Sequence, residues 1–374
     1  MNNSRKDVII VGGGVIGMLT ARFLHQAGLE VMLVEQNELG RESTWAGGGI
    51  LSPLYPWRYS EQISALTRHS QQHYPALCAE LLAETGIDPQ WIRSGILFTG
   101  DQELATAQAW AQAWDYELQH LTNQSAVQAC EPRLADTIER GLFMPALGQV
   151  RNPRIADALR TYLRLRPITL AEHTAVTALA VKDGRIDGVY LGDMLFQAKQ
   201  VVVAGGAWTG LLPEMQAANV DVRPVLGQMI LMRGERNWLK RIVLHNGYYL
   251  IPRADGRIVC GSTLENQGFN KRTSADMKAE LYEVACGIMP QLRGLPVLNH
   301  WCGLRPGSPN GIPYIGQHPE IEGLYVNAGH YRYGVTMSLA SVQMLTDMML
   351  GKTPAIDPTP YGLNVERVPS SDWI

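Results

Sequence analysis

Two periodicities alternate at the start of the chain. Val8 to Val11 is an apolar run of strand length that breaks into Gly12-Gly13-Gly14. Val15 to Gln26 then shows helical periodicity, with Ala21, Leu24 and Ala27 on one side. Gly28 stops that helix, and Glu30 to Val34 forms a second apolar strand ending in Glu35. This pattern predicts a βαβ unit. Ser60 to Thr85 places Ile63, Leu66, His73, Leu77, Leu81 and Leu82 at helical spacing and predicts a long amphipathic helix. Trp91 to Thr99 predicts a strand, Asp101 to Tyr116 a helix, and Ser125 to Cys130 a short helix. Asn152-Pro153 opens a helix to about Arg164. Val176 to Val181 and Ile186 to Leu191 flank Asp183-Gly184 as a hairpin.

Lys199 to Ala204 is another buried strand, followed by Gly205-Gly206-Ala207-Trp208, and it returns the chain to the opening sheet. Val222 to Arg233, Tyr248 to Pro252 and Arg257 to Gly261 predict antiparallel strands, and Ser274 to Met289 a helix. The expected fold class is α/β: a discontinuous, Rossmann-like nucleotide domain and a second α+β domain with an antiparallel sheet. The first is expected to comprise residues 1–85, 145–220 and 305–364, and the second 86–144 and 221–304. The proline-bearing tail after Asp357, including residues 365–374, is expected to wrap the surface or fray.

Composition narrows the function classes. A chain of 374 residues accommodates two domains, and 46% hydrophobic with 18% charged residues excludes a disordered chain. A net charge of −3 gives no general attraction to nucleic acid or an anionic membrane. No apolar run approaches the ~20 residues that span a bilayer. Arg5 and Lys6 before the apolar stretch resemble a signal peptide, but cleavage there would destroy the βαβ unit. The five cysteines, Cys78, Cys130, Cys260, Cys286 and Cys302, show no metal spacing and suit a reducing cytoplasm. No metal site is expected.

The glycines of the first turn carry the first chemistry. Gly12, Gly14 and Gly17 form G-x-G-x-x-G between strand and helix, the arrangement that binds a dinucleotide. Gly12 permits the tight turn, Gly14 lets a pyrophosphate approach, and Gly17 lets the helix pack on the sheet. The helix N-terminus offers unpaired N–H groups and a positive dipole end. Glu35 is placed for ribose hydroxyls and would repel a 2′-phosphate. The loop from Leu39 to Ile50 is small and hydroxyl-bearing, as suits either contact with a flat or phosphorylated ligand or a flexible surface loop. Trp110 and Trp114, four apart, read as core packing, and His69 and His73 as packing or surface residues.

Three patches in the second half set arginine among apolar and glycine neighbours. They are Gly247 to Arg253, Trp301 to Ser308 and Asn327 to Thr336. An arginine in such company needs an anionic partner, because burying it unpaired is costly. That partner is either a protein carboxylate or a substrate carboxylate held bidentately.

The motifs GGGVIG, LVE with RESTWAGGGIL, VVVAGGAW, YYLIPR, GLRPGSPNGIPYIG and GHYRYGVTMS run from Gly12 to Ser338. Together they resemble the D-amino-acid-oxidase-like FAD oxidoreductases, and within them the glycine oxidases of thiamine biosynthesis. The resemblance implies non-covalent FAD in an extended form. Val15 and Ile16 would lie by the pyrophosphate, and Glu35 and Gln36 by the adenosine ribose. Ser43, Thr44, Gly48, Gly49 and Ile50 would run beside pyrophosphate and flavin. Val176 would meet adenine, and the stretch His330, Tyr331, Arg332, Tyr333, Gly334, Val335 and Thr336 would wrap the isoalloxazine. Arg305 would clamp the substrate carboxylate, with Tyr249 adding a hydroxyl and Arg332 close by. The Cα–H would then face flavin N5, so that no protein base is required.

The implied reaction takes glycine, with sarcosine and small D-amino acids as slower substrates, to the 2-oxo acid, ammonia and hydrogen peroxide. The implied partners are a small amino acid and O2, in a cytoplasmic homo-oligomer, a tetramer by resemblance. Trp45 is bulkier than the family pattern in the flavin loop, and Gly247 stands where a relative has histidine. Cys302 lies where relatives acting on sarcosine tether flavin through cysteine; its default reading is a buried inert thiol. His245, His300 and His330 read as packing residues. Three rivals share the motifs: a dehydrogenase that reduces a quinone, the oxidase of a tRNA-modifying enzyme, and a non-catalytic flavin-binding subunit.

Overall fold

A computed structural model describes residues 5–100 and 103–367. Asp101 and Gln102, at the start of one predicted helix, and tail residues 368–374 lie outside the described residues. The first half of the chain runs β1 (Lys6–Val11), α1 (Val15–Gln26), β2 (Val31–Val34), α2 (Ser43–Ala46) and α3 (Glu61–Thr85). There follow β3 (Ile96–Thr99), α4 (Leu104–Ala113), β4 (Gln119–Leu121), α5 (Gln124–Cys130), β5 (Gly141–Met144) and α6 (Asn152–Arg164). The middle comprises β6 (Thr169–Ala171), β7 (Ala178–Lys182), β8 (Arg185–Leu191), β9 (Met194–Val203), α7 (Pro213–Ala217) and β10 (Arg223–Met232). The last part holds β11 (Ile242–His245), β12 (Tyr248–Pro252), β13 (Ile258–Gly261), α8 (Ala275–Ile288) and β14 (Val297–Gly307). It closes with β15 (Tyr314–Gln317), β16 (Leu324–Ala328) and α9 (Gly334–Met349).

Two mixed α/β layers result. The first sheet has the order β15-β16-β9-β1-β2-β6, parallel except at the β15 edge, with the β7–β8 hairpin extending from β9. Its central strands are apolar on both sides because both sides are covered. Val8 and Ile10 pack into the core shared by α1, α3, α6 and α9, while Ile9 packs into a second core with Val201, Val203 and Met215. Arg22, 3% exposed on α1, reaches Glu80 at 2.8 Å and Glu84 at 3.1 Å on α3 and locks the helical layer together.

The second sheet has the order β14-β10-β13-β12-β11-β3-β5-β4. It is antiparallel, as expected, except that β11 and β3 pair in parallel. Strict alternation divides its side chains. Along β12, Leu250 joins the core under α8 and Tyr248 packs against it, whereas Tyr249 and Ile251 face the other way, with Met229 and Val259. Tyr248 accordingly donates to Glu280 of α8 at 2.5 Å, and only Tyr249 is left for the opposite side.

Several expectations shift. The strand expected from Trp91 contracts to β3, with Ile92 left in an isolated bridge to Gln149. The long strand β14, unforeseen in a stretch with two glycines and a proline, exists because β10 pairs with it along its length. Its Pro306 is tolerated because β14 is the edge of the sheet. The tail does not fray immediately after Asp357: Tyr361 is 1% exposed and donates to the Gln62 carbonyl at 2.8 Å.

Candidate functional site

The turn after β1 sets one end of the site. Gly12 has φ 109, and a Cβ there would lie 2.4 Å from the Ala204 carbonyl oxygen of the neighbouring strand end. Gly17 is buried and lines neither of the two cavities that meet at Gly14; a Cβ on it would strike the Gly12 oxygen at 1.9 Å. It therefore brings helix and turn together rather than touching a ligand. Gly14 is open, with only the Thr44 hydroxyl within reach of a Cβ, at 3.4 Å. Thr44 Oγ1 caps α1 by accepting from the Val15 N–H at 2.9 Å. Other first-turn amides of α1 have no partner within the helix and edge a cavity bounded by Gly14, Val15 and Ile16.

Two adjoining cavities share Gly14, Ser43, Thr44, Ala204 and Gly206. One extends past Gly12 to Glu35, Gln36 and Val176. Glu35 is buried there and accepts from Gly13 N–H at 2.7 Å and Asn37 N–H at 2.9 Å. Burial pushes its carboxyl pKa up against those two bonds. The other cavity extends past Gly48, Gly49 and Ile50 to the second sheet and to residues 327–336.

That second wall brings together Tyr249, Arg305 and Arg332, which are far apart in sequence. Arg305 is half-buried and donates to the Ser262 hydroxyl at 2.8 Å and to the carbonyls of Leu226 at 3.2 Å and Thr263 at 3.3 Å. Among the described residues no carboxylate pairs with it. Burial lowers its guanidinium pKa, the Tyr249 hydroxyl opposes that shift, and the Arg332 charge reinforces it. Arg332 is exposed at the mouth, with its guanidinium 5.2 Å from the Tyr331 ring centroid. Tyr331 itself holds a left-handed φ of 49, sparsely used by large side chains.

The remaining predicted residues frame the same cavity. His330 is 1% exposed, and its Nε2 meets the Ser341 hydroxyl at 3.0 Å. Tyr333 packs edge-on against Tyr59, with centroids 5.0 Å apart. The Thr336 hydroxyl donates to the Ile50 carbonyl at 2.8 Å, joining the α9 start to the loop after α2. Gly334 and Val335 complete this edge.

Arg253, unlike Arg305, does not line this cavity, although it too is held by neutral groups. It donates to Gln149 Oε1 at 2.9 Å, to the Val150 carbonyl at 3.4 Å and to the Gly48 carbonyl at 2.8 Å. Its partners are thus neutral acceptors of the scaffold, and burial pushes its pKa down to about 10. Cys302 alternates to the face opposite Arg305, where it packs with Trp208. Trp45, bulky for its loop, meets Trp301 edge-on at 6.0 Å.

The chain was then compared with known proteins. Residues 7–348 match the model of the FAD dependent oxidoreductase family. The chain belongs to this family. A glycine oxidase of Pseudomonas putida is 44% identical over 357 residues, covering 95% of this chain and 98% of that protein. A glycine oxidase of Geobacillus kaustophilus is 31% identical over 367 residues, covering 96% and 97%. The crystal structure of glycine oxidase from Geobacillus kaustophilus superposes with a TM-score of 0.92 at 30% identity, covering 97% of this chain and 99% of that one. As a member of the FAD dependent oxidoreductases the protein is an FAD-dependent amino-acid oxidase.

The residues present suit FAD. The two adjoining cavities meet at Gly14, at the α1 N-terminus, whose free amides and positive dipole end suit a pyrophosphate. Asn327, 1% exposed and lining the cavity that reaches the second sheet, has neither amide atom bonded within the described residues. A buried amide of this kind calls for a polar partner. Asn327 was missed in sequence because it reads as one polar position at the end of an apolar strand. Asn152 was also missed: its side chain donates to the Thr44 carbonyl at 2.7 Å and fixes the loop that both cavities share. Among the described residues no helix is long and apolar enough to cross a membrane, and no side-chain group could hold a metal ion.

Proposed function

We propose that the protein oxidises glycine, and more slowly sarcosine and small D-amino acids, to glyoxylate or the corresponding 2-oxo acid. Ammonia is released, or methylamine from sarcosine, and dioxygen becomes hydrogen peroxide. One observation carries this reading: among the described residues Arg305 has no protein carboxylate as partner, in a cavity that also holds Tyr249 and Arg332. Such a guanidinium is complementary to a small carboxylate. When bound, FAD supplies a two-electron acceptor for the Cα hydride. The protein's part is to hold the carboxylate on Arg305, steady it with the Tyr249 hydroxyl, and keep the neutral amine oriented. His330 does not serve as a base: it is buried against Ser341, and burial pushes its pKa down to about 3.

In this reading residues 1–85, 145–220 and 305–364 form the FAD domain and 86–144 and 221–304 the substrate domain, with Arg305, at the boundary on β14, reaching the substrate. The imine, before its hydrolysis, feeds thiazole assembly in the cytoplasm, and the enzyme is a homo-oligomer. The test is an absorption spectrum of the holoenzyme under nitrogen, before and after glycine, then in air. The expected result is loss of the flavin band with glycine and its return in air with peroxide. Bleaching without peroxide in air would point to a dehydrogenase, and a band indifferent to glycine would overturn the substrate. Arg305→Ala is expected to raise the KM for glycine by at least about tenfold with flavin retained.

A further inference from the structure

The hydrogen bonds of Arg305 leave it a single way to grip an anion. A guanidinium carries five N–H groups: two on Nη1, two on Nη2 and one on Nε. Nη1 donates to two backbone carbonyls, of Leu226 at 3.2 Å and Thr263 at 3.3 Å, as many bonds as it has hydrogens. One Nη2 hydrogen is taken by the Ser262 hydroxyl at 2.8 Å. What remains is the Nε hydrogen and one on Nη2. Binding across the tip, with one hydrogen from each Nη, is therefore closed, because Nη1 has none to give.

The plane of the group is fixed by what lies beneath it. A Cβ on Gly227 would sit 2.1 Å from Nη2, 2.2 Å from Nη1 and 2.3 Å from Cζ of Arg305. The guanidinium thus lies directly over a bare strand backbone, and any side chain at 227 would occupy its place. The site face of the adjacent strand is equally bare at Gly303, where a Cβ would meet Ala46 at 2.6 Å. The next site-facing position of β10 is Met229, which carries the Tyr249 hydroxyl 3.8 Å from its sulfur.

We propose that Gly227 and Ser262 are positioning residues that seat the Arg305 guanidinium so that it takes the substrate carboxylate side-on, through Nε and Nη2. The proposal rests on the reading that Arg305 meets the substrate carboxylate. Gly227 supplies the space, Ser262 and the two carbonyls fix the rotation, and the amine is thereby held at one angle to the carboxylate. A lysine at 305 could fill neither part of this seat, since it lacks a planar edge with two donors.

The test uses holoenzyme and two readouts: perturbation of the flavin spectrum by acetate, a carboxylate with no amine, and steady-state kinetics with glycine. Gly227→Ala is expected to raise the acetate Kd and the glycine KM together, by about tenfold or more, with kcat changing far less. Ser262→Ala is expected to shift both in the same direction, and Ser262→Thr, which keeps the hydroxyl, to restore them. If Gly227→Ala does not fold, the Ser262 pair decides alone. Acetate Kd and glycine KM within twofold of wild type in Ser262→Ala would overturn the seat. Wild-type holoenzyme that neither binds acetate nor is reduced by glycine would instead overturn the substrate reading, and the seat with it.

Discussion

At the scale of single residues, one buried group and one half-buried group, His330 and Arg253, set measurable limits. His330 is 1% exposed, and its pKa is about 3 against an ordinary 6.5. The folded state therefore resists the proton that the unfolded chain accepts. Its stability is complete above the unfolded value and falls as pH drops from 6.5 toward 3. The slope approaches about 1.4 kcal/mol per pH unit for one proton. Urea midpoints measured from pH 7 downward are expected to show this slope in wild type and a shallower one in His330→Asn. Equal slopes would mean that other groups govern the acid limb. Arg253 sets a second limit, because Arg253→Met would leave the Gly48 and Val150 carbonyls without their donor. A loss of about 2 kcal/mol and weaker flavin retention are expected by denaturation and ultrafiltration.

At the scale of elements, the short helix α2 is the hinge between the two cavities, and its geometry is imposed from outside. Asn152 at the start of α6 holds the Thr44 carbonyl, and Trp301 of β14 donates to the Ala46 carbonyl at 2.9 Å. Asn152→Ala is expected to cost about 1 kcal/mol in stability and to raise the FAD dissociation constant several-fold, read by fluorescence quenching. None of this was visible in the sequence, where Asn152-Pro153 signalled only a helix start. The βαβ opening was legible because its evidence is local: glycines, periodicity and a terminal acid lie within one short stretch. The boundaries of α3 and α6 were legible for the same reason, through Ser60 before one helix and Pro153 inside the other. Strands β11 and β14 were not, since each becomes a strand only by pairing with distant partners. Arg253 and Arg305 looked alike in sequence, and both are held by three neutral scaffold acceptors; they parted only when the fold placed Arg305 on the cavity wall and Arg253 behind it. Tyr249 was separable from Tyr248 by strand alternation, but which of them faced the cavity depended on where α8 landed.

At the scale of the whole molecule, the cavity proposed for the flavin is walled from both layers: Gly14 and Ala204 just beyond strands of the first sheet, Gly227, Tyr249 and Arg305 from the second. A ligand bound there stabilises only the arrangement in which the two sheets face each other. Removing FAD is expected to lower the melting temperature, and restoring it at about a hundredfold excess over Kd to return about 2.7 kcal/mol. A melting temperature independent of FAD would place the cofactor elsewhere. The order of strands has a further consequence for biogenesis. β1 pairs with β9, β9 with β16, and α9 packs on α1, so this early strand is completed by elements that lie far downstream of it in the chain. On a ribosome the βαβ unit emerges but waits, without its closing helix, until β16 and α9 have been translated. A nascent chain stalled before β15 is expected to hold the glycine turn and no flavin, which makes cofactor capture wait for these downstream elements.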